Sequence, residues 1–72
     1  MKVYAVIFED RHCDVDVELF HNAEKAIERA KEFAHKNDRH DQYEEKAIEG
    51  YIFYATYSCE GDCATVLERD VS

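Results

Sequence analysis

The amino-acid pattern predicts an α+β domain in the order β-β-α-β-β, a four-stranded antiparallel sheet with one helix on one face. Three observations carry that expectation. Short runs of β-branched and aromatic residues separated by polar turns occur toward both ends of the chain. One stretch in the middle repeats its apolar residues at helical spacing. The least polar run, Gly50 to Cys63, ends in a glycine turn flanked by Cys59 and Cys63.

Lys2 to Glu9 reads as the first strand. Val3, Ala5 and Ile7 fall on one face and Tyr4, Val6 and Phe8 on the other, so both faces are apolar and the strand is expected at the centre. Asp10 to Asp14 reads as a polar turn. Val15 to Phe20 reads as the second strand, an edge, with Val15, Val17 and Leu19 facing in and Asp16 and Glu18 facing out. Asn22 suits an N-cap, and Glu24 complements the dipole of the first turn. Ala23, Ala26, Ile27, Ala30, Phe33 and Ala34 then mark one apolar stripe on a helix from about Ala23 to Lys36.

Asp38 to Glu49 reads either as a polar loop or as a short helical turn through Tyr43 to Ala47. Tyr51 to Cys59 reads as the third strand and Cys63 to Val71 as the fourth. If Asp38 to Glu49 only turns the chain back, the spatial order 2-1-3-4 makes every neighbour antiparallel and puts the two most apolar strands, one and three, in the centre. The charged strands two and four then become edges. The face left open by the single helix presents aromatics from Tyr4, Phe8 and strand three, a surface that suits a partner or a second copy.

Composition limits the function classes. A chain of 72 residues makes one domain, 1–72, with a core small enough that staples or self-association often support it. Nine aromatic residues, five Tyr and four Phe, supply large buried areas, and the absence of proline argues against disorder. A net charge of −8 opposes binding to nucleic-acid phosphates and favours basic protein partners. No apolar run is long enough to span a membrane, and the opening residues do not form a signal peptide, so a cytoplasmic protein is expected.

The candidate chemistry is sparse. Three cysteines, an odd number, do not match a secreted disulfide framework. Cys59 and Cys63 face each other if their turn has three residues, and point to different faces if Gly61 and Asp62 alone make it. Only the first register permits a disulfide or shared metal ligation. His12 and Cys13, the other candidate ligands, are adjacent, and in the order 2-1-3-4 their turn lies at the opposite end of the sheet from Gly61. A zinc site wants four ligands, so ordinary thiols and no cofactor are expected. Nothing supports Cys13 as an activated nucleophile, and no phosphate-cradling loop or buried carboxylate pair is evident, so the chain is read as a non-enzyme.

The acids gather in turns, loops and edge strands. Acids there guard a sheet against edge-to-edge aggregation, and they also suit a basic groove. The residues expected to contact such a partner are Asp14, Asp16 and Glu18 as a row on strand two, Glu44 and Glu45 in the loop, and Tyr51 and Phe53 on strand three.

Two patches, Phe8-Glu-Asp-Arg-His12 with the acidic strand after it and Tyr57-Ser-Cys-Glu-Gly-Asp62, together resemble small uncharacterised proteins carried by bacteriophages and by actinobacteria. The resemblance spans most of the chain through short motifs and brings no catalytic residue with it. The compact acidic α+β form is also similar to phage anti-defence proteins, anti-CRISPRs among them. The resemblance implies an inhibitor that occupies a basic nucleic-acid site or binds a host complex. Two other readings stand beside it: a small-molecule or metal-binding module built on the Cys59–Cys63 hairpin or the His12 turn, and a homodimer whose sheets pack face to face.

Overall fold

The computed structural model describes residues 1–10, 15–39, 41–58 and 61–71. Its elements in chain order are β1 (Lys2–Glu9), β2 (Asp16–Phe20), α1 (Ala23–Asn37), β3 (Glu44–Glu45), β4 (Phe53–Thr56) and β5 (Cys63–Asp70). The class is α+β with one helix on one face, as expected. The sheet has five strands rather than four, in the order β2-β1-β5-β4-β3, and every neighbouring pair is antiparallel.

The change of order has a geometric cause. The stretch after α1 does more than turn the chain: Asp38 caps the helix, its carboxylate accepts from the amides of Gln42 and Tyr43 at 2.9 and 3.1 Å, and the chain then runs along the sheet as β3. That extra pass reverses the direction of everything downstream. β4 runs parallel to β1 and cannot be its antiparallel neighbour, so β5 takes the central place beside β1. The fourth strand, expected at an edge, is the middle of the sheet. Strand three is internal as expected, but its neighbours are β5 and β3, not β1.

The β1–β5 ladder is the longest, running from Lys2↔Asp70 to Glu9↔Cys63 with Val6↔Val66 at its midpoint. The α1 stripe of Ala26, Ala30 and Ala34, each 0% exposed, lies on the face formed by Val6, Phe8, Phe53, Ala55, Ala64 and Val66. Alanine lets the helix axis approach the sheet closely, and Phe33 fills the remaining space against Phe8, with ring centroids 4.4 Å apart. Asn22 caps the helix as expected, its side-chain oxygen accepting from the Lys25 amide at 3.2 Å.

β2 shows the opposite faces to those expected. The pairs Val6↔Glu18 and Phe8↔Asp16 place Glu18 and Asp16 on the helix side of the sheet. Val17 and Leu19 point to the open side, 51% and 68% exposed, and Val15 is exposed beside them. Arg29 on the flank of α1 explains the inversion. Its Nε and Nη2 donate to the two oxygens of Glu18 at 3.1 and 3.2 Å, while Nη1 reaches Glu32 at 3.2 Å. An edge strand at the margin of the helix's cover presents acids there without burying them.

The open face is corrected too. Tyr4 and Phe8 lie under the helix, and the uncovered side instead shows Val3, Ala5, Ile7, Val17, Leu19, Leu67 and Tyr54.

Ala30→Leu tests the close approach of helix and sheet. The larger side chain has no space beneath α1 and is expected to lower stability by about 1–3 kcal/mol, read from the urea midpoint.

Candidate functional site

The observed topology assembles an acidic end of the sheet. β5 begins where β1 finishes, so Glu9 sits opposite Cys63, Cys63 opposite Thr56, and Thr56 opposite Glu44. These four residues form one row across four strands on the open face. Asp16 lies one step along, opposite Phe8. Asp10 and Asp62 follow β1 and precede β5 at the same end, both buried. The end of strand one and the start of the last strand, expected at opposite ends, are therefore together.

Alternation explains the buried pair at this end. Asp10 continues the inward series Tyr4, Val6, Phe8, and Tyr57 continues the series Phe53, Ala55. The two inward series converge, and the Tyr57 hydroxyl donates to Asp10 Oδ2 at 2.7 Å. Burial, then the hydrogen bond and charge of Asp10, push the Tyr57 phenol far above its ordinary value. Phe33 closes the site from the helix, edge-on to Tyr57 at 6.1 Å.

Cys63 is a buried free thiol whose Sγ lies 3.8 Å from Glu9 Oε2. Burial first, and Glu9 second, raise its pKa. A thiol held protonated beside a carboxylate is the opposite of an activated nucleophile, which needs positive surroundings. The Tyr54 phenol is also raised, chiefly by Cys63 and then by burial. The Cys63 register differs from both readings of the turn, since its partners are Thr56 and Glu9. The turn is closed by the Gly61 amide donating to the Ser58 carbonyl at 3.3 Å, with Gly61 at φ +94°.

The residues expected to bind a partner do not form one surface. Asp16 is exposed, and its carboxylate accepts from the Val17 amide at 2.9 Å. Glu18 is held by Arg29 rather than free in a row, and its hydrogen bond is the main cause that raises the Arg29 pKa. Glu44 is exposed on the open side of β3. Glu45 faces the helix side, accepting from the Tyr43 hydroxyl at 2.8 Å with Lys31 Nζ at 3.9 Å. Burial and Glu45 raise the Tyr43 phenol. Tyr51 is 38% exposed and edge-on to Tyr54. Phe53 is a core residue, with Lys31 5.7 Å from its ring centre. Asp14, and the metal candidates His12, Cys13 and Cys59, lie outside the described residues.

Sequence reasoning missed Asp10, Tyr57 and Asp62. The inward alternation of Asp10 and Tyr57 was available; their meeting required the strand order. The loop between β3 and β4 lines an open groove of about 600 Å³ with Lys46, Ile48, Tyr51 and Ile52, beside Tyr54. Among the described residues no group of three or more His, Cys, Asp or Glu is placed to hold a metal ion, and no helix is long and apolar enough to cross a membrane. No protein-family model, curated protein or solved structure matches the chain.

Tyr57→Phe removes one hydrogen bond to a buried carboxylate and is expected to cost roughly 1.5–3 kcal/mol at neutral pH. The folded phenol is held above its ordinary value of about 10, so its contribution is complete below that pH and is lost as pH rises toward the folded-state value. Chemical denaturation across the alkaline range should show stability falling above pH ~10. The fall should be shallower in Tyr57→Phe.

Proposed function

We propose that the chain is a non-enzymatic, acidic protein-binding module that captures a basic partner through the acid-bearing end of its sheet. The observation that carries this reading is the convergence of Glu9, Asp10, Asp16, Glu44 and Asp62 on that end, set by the pairs Glu9↔Cys63, Thr56↔Cys63 and Glu44↔Thr56. The row from Glu9 to Glu44 spans three strand spacings, roughly 14 Å, so an approaching partner meets an extended acidic edge rather than a single charge.

Among the described residues, the ion pairs made by Lys2, the N-terminal amine, Arg29 and Lys31 lie away from Glu9, Asp16 and Glu44. Lys2 pairs with Glu68 at 3.1 Å, the N-terminal amine with Asp70 at 3.4 Å, Arg29 with Glu18 and Glu32, and Lys31 with Glu45. Exposed pairs of this kind contribute little to stability, and they hold Lys2, Arg29 and Lys31 against other acids. The resulting field speeds encounter with positive surfaces and repels nucleic-acid phosphates.

In this reading the chain acts in the cytoplasm as an inhibitor or modulator of a host protein, the partners being nucleic-acid-binding or defence proteins whose own sites are positive. That role follows the phage anti-defence proteins the sequence resembles. The contact residues are Asp16, Glu44 and Glu9. Glu18 and Glu45 contribute charge while held by Arg29 and Lys31, and Phe53 contributes only to the core.

Affinity capture with the wild-type chain and a Glu9→Gln, Asp16→Asn, Glu44→Gln variant tests the reading. The partner is expected to be basic, to be lost by the variant, and to be held progressively more weakly as salt is raised through and above physiological strength. A partner held equally by both chains at every salt concentration sinks it.

A further inference from the structure

We propose that the open face of the sheet is the interface of a two-fold homodimer in which the strands of the two sheets run in reversed directions. The inference does not depend on capture of a basic partner.

The face is largely apolar and no helix covers it among the described residues. α1 occupies one side of the sheet only. On the other side Ala5, Ile7 and Leu67 are half-buried, while Val17 and Leu19 are exposed on the flanking strand. Tyr54 lies on the same face beside Thr65 and Cys63, which are only 3% and 4% exposed. Apolar side chains are turned outward on β2 although its acids are turned toward the helix. That inversion leaves the open face with little charge in a chain whose net charge is −8.

The charges that remain there on the central ladder point to the occupant. Glu9 stands at one end of β1, and Arg69 stands on β5 opposite Val3, at the other end of the same ladder and on the same face. Six residues of strand separate the two levels, roughly 20 Å. A two-fold axis lying between the sheets and across the strands exchanges these ends. It sets Glu9 of each copy at the level of Val3 and Arg69 of the other, and lays Val17 against Leu19 and Ile7 against Ala5. An axis along the strands would set Glu9 against Glu9. The face is thus complementary to itself in one orientation, as an isologous contact requires. Sheets packed in this way sit about 10 Å apart with side chains interdigitated.

The size of the face sets the expected strength. The residues of β1, β2, β4 and β5 cover roughly 400 Å² in projection, taking ~4.8 Å between strands and ~3.3 Å per residue. That is below the ~800 Å² of accessible surface per partner in a standard stable interface, even allowing for surface roughness. A reversible dimer with a micromolar Kd is expected.

Sedimentation equilibrium of the full chain tests this directly. The wild type should populate a species at twice the 8.5 kDa chain mass in the micromolar range. Leu19→Glu places a carboxylate in the apolar contact and should weaken association by about tenfold or more. Leu19 is exposed in the single chain, so the variant should keep the wild-type circular dichroism. If it does not fold, Leu19→Gln carries the same comparison. Glu9→Lys and Arg69→Glu should each weaken the dimer, and the double reversal should recover most of the loss. A monomer up to millimolar concentration, even one that uses this face for another protein, overturns the proposal. So does a dimer indifferent to Leu19, or a double reversal with no recovery.

Discussion

The pairing of β1 with β5 is the constraint on which the rest of the structure depends. It joins the two longest strands in eight consecutive pairs and places Val6 opposite Val66, both fully sealed. Remove it and the sheet divides into a β1–β2 hairpin and the β3–β4–β5 meander. A lone hairpin is marginal in water. The helix depends on the same ladder, because its alanine stripe meets a continuous apolar surface only where Val6, Phe8, Ala64 and Val66 lie side by side. In a chain this short there is no second core to fall back on.

A two-residue strand decides which partner β1 receives. Glu44 and Glu45 have little intrinsic preference for a strand, and their pairing with Thr56 and Ala55 is a tertiary effect. Nothing local in the sequence marks it. Yet that short pass sets the direction of β4 and β5, and through direction it sets the order of the sheet. The helix, by contrast, was legible to within a residue of its C-terminal end, since the Asn22 cap and the alanine spacing are local signals. Strand two was legible in extent but not in orientation. Alternation shows that Asp16 and Glu18 share a face, whereas the choice of face rests on Arg29, eleven residues further along from Glu18.

The candidate site divides in the same way. The acids were visible as a surplus, and Asp16 and Glu44 as exposed members of it. Their convergence with Glu9, Asp10 and Asp62 was not visible, because a sheet in the order 2-1-3-4 sends the first and last turns to opposite ends. Tyr57 and Asp10 illustrate how a local pattern becomes a contact. Each is simply the next inward residue of its strand, and the ladder brings the two series together at 2.7 Å. The same alternation leaves the apolar side chains of β2 facing outward. One face is therefore held by packing, one end is charged, and the remaining face is free for association.

The central position of the last strand also governs when the fold can form. Met1 accepts a hydrogen bond from the Val71 amide, and Lys2 pairs with Asp70, so the main ladder closes contacts between residues nearly the whole chain apart. Such long-range pairing is slow to form relative to local helices and hairpins. On the ribosome, β1, β2 and α1 emerge without the strand that completes their core. Val6 and Phe8 stay uncovered on one side until Ala64 and Val66 are available. Assembly of the native sheet is thus a late, nearly all-or-none event, and the acidic surplus gives the waiting chain its protection from self-association.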